Sequence, residues 1–268
     1  MLQNPLPLAK AVKKDLSKIK ALFFDIDDTF SSLTIKGSKI LPQAFDALWK
    51  LYNSGIYVVP VTGRPAGWCD HIARMWPVHA VVGENGAFYS FMQDKLVKKY
   101  TEQENIRKNN LQKLENLKKN LYKKFPFIKT PSDQFYREFD FAVDFCEDVP
   151  RLKKSKIYEL INFAENQGAH VKLSSIHINI WYGEYDKWTC VEKVLKECFS
   201  MDPKKNLDQV AYIGDSPNDE PFFEKSLFSV GVANIEKFLP DLKFKPKYIT
   251  KQPSGLGFTE FAKVLLSK

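Results

Sequence analysis

Short apolar runs alternate along this chain with segments whose hydrophobic residues recur every three or four positions. ALFF (21–24) is a buried strand, and Leu41, Ala44, Phe45, Leu48 and Leu51 follow at helical spacing behind Pro42. Asn53-Ser54-Gly55 closes that helix. IYVVPV (56–61) is a second strand, weakened by Pro60, because proline has no N–H to give a central ladder. A short helix over 65–75 and the strand HAVV (79–82) come next. The far end repeats this order: a helix over 186–199, the strand QVAYIGD (209–215), a helix over 217–226, the strand FSVGV (228–232) and a helix over 257–266. Strand and helix in alternation predict an α/β fold, a Rossmann-like doubly wound parallel sheet covered on both faces.

The pattern changes in the middle. Residues 101–125 read as one long helix, and DFAVDF (140–145) alternates like a half-buried strand. A helix over 151–167 and two adjacent strands, 170–175 and 176–182, complete an αβαββ block. The expected organisation is a core from 1–100 and 184–268, interrupted by an α+β cap over 101–183 with a small antiparallel sheet. There are no internal repeats or low-complexity tracts.

Composition narrows the class. A hydrophobic content of 44% with 27% charged residues fits a folded globular chain, and no apolar run reaches the ~20 residues of a membrane span. No apolar signal core follows Lys10, Lys13 and Lys14, and Cys69, Cys146, Cys190 and Cys198 form neither a C-x-x-C pair nor a zinc spacing. A cytoplasmic protein with reduced thiols is expected. The formal net charge of +8 would suit anionic small molecules or nucleic acid. In the densest lysine stretch, 107–125, Leu111, Leu114, Leu117 and Leu121 make one apolar stripe with lysines around it, the pattern of a solvated amphipathic helix.

Ligands in open α/β sheets bind beyond the carboxyl ends of the strands, and here those ends carry the chemistry. They supply Asp25-Ile26-Asp27-Asp28-Thr29, then Thr62-Gly63-Arg64, then Gly83-Glu84-Asn85-Gly86, then Gly214-Asp215-Ser216-Pro217-Asn218-Asp219. Lys187 opens the helix where the chain returns from the cap, a place where the helix dipole disfavours a cation unless an anion is near. Carboxylates crowded together raise each other's pKa values. A hard divalent cation relieves that conflict, and Mg²⁺ fits, because it takes one or two carboxylates plus substrate phosphate oxygens. A calcium loop starting at Asp25 is excluded: its sixth position is Phe30 rather than Gly and its twelfth is Lys36 rather than Glu.

These residues resemble the haloacid dehalogenase superfamily of phosphotransferases. The resemblance covers the whole core in order: D-x-D-x-T at Asp25–Thr29, the strand-ending Thr62 in VTGRP, the helix-opening Lys187, and G-D-x-x-N-D at 214–219. The position of the cap, with VTGRP and GENGA, looks like the large-cap branch of Cof-like and sucrose-phosphate phosphatases and phosphomannomutases. Asp28 departs from the pattern, since many members have Gly there. The resemblance implies that Asp25 is the nucleophile that forms an aspartyl-phosphate and that Asp27 is the general acid and base. It implies Mg²⁺ on the Asp25 carboxylate, the Asp27 carbonyl and Asp215, supported from behind by Asn218 and Asp219. Thr62, Gly63, Arg64, Asn85 and Lys187 are the phosphate- and substrate-binding candidates. A carboxylate at position 27 favours phosphate monoesters over carbon–halogen bonds.

The expected activity is therefore Mg²⁺-dependent hydrolysis of a small phosphorylated metabolite, a sugar phosphate by family analogy. The leaving group would be chosen by cap residues among Arg137, Glu138, His177 and Asn179, of which His177 and Asn179 share a strand face. The alternatives are a phosphohexomutase and a non-catalytic binding protein that uses its basic surface. No nucleic-acid or membrane partner is expected.

Overall fold

A computed structural model describes residues 4–174 and 176–267, so Ser175, at the end of the strand predicted over 170–175, lies outside the described residues. Six strands form the central sheet in the order Leu6–Pro7, Tyr248–Ile249, Phe228–Gly231, Val210–Gly214, Ala21–Phe24, Tyr57–Pro60. Every adjacent pair is parallel. Period-two alternation along Ala21–Phe24 separates two cores. Leu22 and Phe24 pack with Leu48, Leu51, Phe258 and Phe261, under the helices Pro42–Asn53 and Ser254–Leu266. Ala21 and Phe23 pack with Val191, Val194 and Leu195 on the opposite face, under the helix Lys187–Phe199. Each fully buried Leu or Phe contributes roughly 1.5–3 kcal/mol of transfer free energy, which is why this strand is apolar at every position.

Pro60 proves compatible with the sheet because its strand ends the six-stranded order. Beyond it the sheet continues only through the bridge Val61–Val82. The predicted strand 79–82 is correspondingly short, Val81–Gly83, and belongs to a three-stranded antiparallel sheet with Phe88–Met92 and Leu96–Tyr100. Asn85-Gly86 is thus the turn of a hairpin. A second hairpin, Ser31–Thr34 with Gly37–Ile40, follows the first acidic cluster. Both hairpins lie outside the expected βα alternation. The helix predicted over 217–226 is shorter, Glu220–Lys225, behind a single 3₁₀ turn at Pro217–Asp219.

The middle block has the antiparallel sheet expected, in the order His170–Leu173, His177–Trp181, Phe141–Asp144. One face packs on the helices Glu104–Lys124 and Lys154–Asn166 through Leu114, Leu117, Leu121, Val143, Leu160, Ile178 and Ile180. Its other face carries Lys172, Ser174, His177 and Asn179 over the carboxyl ends of the central strands. No helix among the described residues is long and apolar enough to cross a membrane.

Candidate active site

The first strand delivers Asp25 directly from the ladder, its N–H bonded to the Ile213 carbonyl, so the side chain is set by the sheet rather than by a loose loop. Lys187 meets it from the start of its helix. Asp186 caps that helix through a reciprocal pair, its carboxylate accepting from the Thr189 N–H and its own N–H donating to Thr189 Oγ1. The buried Lys187 ammonium then donates to Asp25 Oδ1 at 2.8 Å and to Asp219 Oδ1 at 3.2 Å.

Gly86 makes this placement possible. Its φ is +103°, and a Cβ there would lie 2.1 Å from the Asp186 carbonyl oxygen. Gly86→Ala would force the hairpin away from the helix that carries Lys187. The expected cost is about 3 kcal/mol or more, read by urea denaturation, with activity lost in parallel.

Asp25, Asp215 and Asp219 form a buried carboxylate cluster, with one oxygen of each within 4.8 Å of the others. Burial, opposed by Lys187 and reinforced by Asp219, pushes Asp25 up to about 8. Burial and then repulsion from Asp25 raise Asp215 well above the ordinary carboxylate range. The three acids differ in what remains free to bind. Asp219 accepts from Lys187, the Tyr212 hydroxyl and the amides of Asp215 and Ser216. Among the described residues the Asp215 side chain accepts only from Thr29 at 3.4 Å and Asn234 at 3.2 Å. The donor set suits a hard cation: buried oxygens with depressed acidity, one ammonium among several carboxylates, and no sulfur or imidazole. Asp25 and Asp215 have capacity left for it, whereas Asp219 is saturated behind them.

Asp28 sits at φ +57°, and burial together with Asp27 raises its pKa. That left-handed backbone accounts for the departure in the motif, because Asp is among the few non-glycine residues that tolerate it.

Around this centre a cleft is lined by Asp25, Asp27, Gly63, Arg64, Asn85, Asp215 and Asn218 from the core. Arg137, Lys172, His177 and Asn179 close it from above. Thr62 and Lys187 are buried behind that lining, and Thr62 Oγ1 accepts from the Arg64 N–H. The interior space is only ≈ 20 Å³, about one water molecule.

Arg64 is held more tightly than its motif suggests. Its Nε and one terminal nitrogen clasp both oxygens of Asp27 at 2.8–3.2 Å. Asn85 lies against Gly63 and reaches Asp140 at 3.5 Å. Asn179 donates to the same Asp140 oxygen at 3.1 Å. Arg137 spans core and cap, donating to the Gly63 carbonyl at 2.9 Å and to Asp140 at 2.7 Å. Glu138 turns away from the cleft, to Lys98.

Four groups of consequence escaped sequence reasoning. Asn234 and Tyr212 hold Asp215 and Asp219; YIGD put Tyr212 in the strand that delivers Asp215, and no spacing pointed to Asn234. Glu147 contacts Arg64, and no spacing announces it. The buried Glu84 carboxylate accepts from Ala66 N–H and from the consecutive amides of Glu138, Phe139 and Asp140, fastening the cap linker to the core. GENGA marked its position but not this task.

A family model described as haloacid dehalogenase-like hydrolase matches residues 22–167 and 99–254. The chain is 27% identical over 261 residues to a phosphoglycolate phosphatase of Staphylothermus marinus, a match covering 93% of this chain and 99% of the relative. Among solved structures, a Thermoplasma acidophilum protein superposes with a TM-score of 0.71 at 19% identity, covering 92% of this chain and 98% of that one. The sucrose-phosphatase of Synechocystis, solved with sucrose and phosphate, gives 0.64 at 16% identity, covering 91% and 97%. At those identities the two structures speak for the fold alone.

Proposed function

The chain belongs to the haloacid dehalogenase-like hydrolases, and from that premise we propose that the cleft beneath the cap is a Mg²⁺-dependent phosphatase site for a small phosphorylated metabolite. Membership makes the protein a phosphoric monoester hydrolase. The observation that carries the site assignment is the meeting of Asp25, Lys187, Asp215 and Asp219, delivered by three separate segments of chain.

Lys187 holds Asp25 in one orientation through Oδ1, and the Asp25 carboxylate attacks phosphorus in line with the ester oxygen. The P–O bond to the leaving group breaks, and Asp27 gives that oxygen a proton. Water then attacks the aspartyl-phosphate, Asp27 takes its proton back, and orthophosphate leaves. Lys187, the Thr62 hydroxyl and backbone N–H groups near Ile26 and Gly63 carry the charge on the phosphoryl oxygens. Mg²⁺, held by the carboxylates of Asp25 and Asp215 and the Asp27 carbonyl, would neutralise charge on the phosphoryl group. Asp219 supports that set from behind, and Asn218 lines the cleft beside it, tied to the Ser216 hydroxyl.

Two features bear on the leaving group. The tight cleft and the unshared charge of Lys172 suit a short anionic one such as the glycolate of 2-phosphoglycolate, the substrate named for the Staphylothermus relative. The hydrogen-bonding face of Ser174, His177 and Asn179 suits hydroxyls and keeps sugar phosphates as the second reading. A panel of phosphate monoesters, with Mg²⁺ and with chelator, decides between them. Orthophosphate is expected from 2-phosphoglycolate or from sugar phosphates only with Mg²⁺. Isomerised sugar phosphate without orthophosphate would mean a mutase, and no turnover of any monoester would overturn the assignment.

A further inference from the structure

Arg64 is enclosed on every side. Asp27 takes its Nε edge, and the Trp68 ring lies 4.8 Å from the guanidinium carbon. The remaining nitrogens face two cap acids: Glu147 Oε1 at 3.4 Å from both terminal nitrogens, and Asp133 at 3.6 Å. Asp133 is buried and neither of its oxygens has a hydrogen-bond donor, so it acts on Arg64 through charge alone. The other Glu147 oxygen lies 2.8 Å from Nε2 of the buried His177, a close polar contact rather than a well-aligned hydrogen bond. A continuous chain of contacts therefore runs from the cap strand through His177, Glu147 and Arg64 to Asp27.

We propose that Glu147 is a positioning residue for Asp27, acting through Arg64, so that the acid–base carboxylate is aimed only when the cap is seated. The inference rests on the assignment of Asp27 as the general acid and base. An arginine beside a phosphate site has a competing partner in the phosphoryl group itself. Bidentate pairing fixes a guanidinium in its own plane, and two carboxylates on the far edge keep that plane turned toward Asp27. Without them Arg64 is free to swing onto the phosphoryl oxygens, and the Asp27 carboxylate loses its orientation.

The test exploits the leaving group. A carboxylate leaves an acyl phosphate without being protonated, whereas an alkoxide leaves an alkyl phosphate only with acid assistance. Glu147→Ala is expected to lower kcat/KM for the alkyl phosphate hydrolysed best in the panel by ~10–100-fold, part of the ~10²–10⁴-fold typical of acid–base catalysis. On acetyl phosphate the loss should stay within about threefold, as expected where no acid assistance is needed. Asp27→Asn should show the same bias, larger. Glu147→Gln keeps the shape but not the charge and should show it more weakly.

Equal losses on the alkyl and the acyl phosphate would mean that Glu147 serves phosphate binding or folding, and would overturn the proposal, as would no loss on either. A wild-type protein that hydrolyses neither compound would instead remove the assignment of Asp27 on which the proposal stands.

Discussion

Asp25→Asn is expected to suppress phosphate release by on the order of 10⁴-fold or more, the scale of removing a catalytic nucleophile, while the chain stays folded. Asn matches Asp in shape, and Lys187 keeps its contact with Asp219 at 3.2 Å. The amide cannot form the aspartyl-phosphate, and no other acid faces the cleft from the same strand end without being clasped, since Asp27 is held by Arg64. Stability should move the other way. Asp25 is pushed up to about 8 by burial, so its ionised form strains the metal-free protein, and an uncharged side chain removes that strain. Phosphate release and circular dichroism on the same sample check both halves. Residual turnover above a few per cent of wild type, far more than loss of a nucleophile leaves, would sink the assignment.

Chelation is the second large effect. EDTA is expected to abolish turnover, and Mg²⁺ to raise Tm more at pH 8 than at pH 5. The folded pKa of Asp25, about 8, lies above its ordinary value, and Asp215 shifts in the same direction. Each therefore contributes stability that is complete below the unfolded pKa of ~4 and is lost as pH rises toward the folded value. The metal-free protein should accordingly lose stability between about pH 4 and 8. A cation that binds the ionised carboxylates restores it, and at pH 5 it must first displace protons. At one hundred times Kd the gain is about 2.7 kcal/mol, or roughly 5–10 °C for a chain of this length. Differential scanning fluorimetry at the two pH values reads this directly. Equal shifts at both would mean that the metal binds elsewhere.

What could be read from the sequence was what is local. A short apolar strand ending in D-x-D declares itself, because the strand and its first polar residues are contiguous and the ladder fixes where the side chains emerge. The same holds for Thr62, Asp215 and the capped helix at Lys187. The long cap helix was legible through its leucine stripe, of which Leu114, Leu117 and Leu121 are buried and Leu111 is half-buried. Asn85-Gly86 reads as a tight turn between strand-like segments, but βα alternation was the stronger prior, so the antiparallel strand that follows it was not assigned. The two-residue strands at Leu6 and Tyr248 are too short to show a period at all. Glu147, Asp133 and Asn234 were invisible for another reason. An ion pair or hydrogen bond between residues far apart in the chain leaves no trace in spacing, and each of these reads locally as an ordinary polar residue.

A chamber with space for a single water has a kinetic meaning. The space between core and cap, ≈ 20 Å³, is smaller than a phosphate ester, so substrate binding is expected to need the cap to shift. An inhibitor of this protein need not imitate a phosphate at all: a wedge lodged at the rim, holding the jaws apart, would be enough.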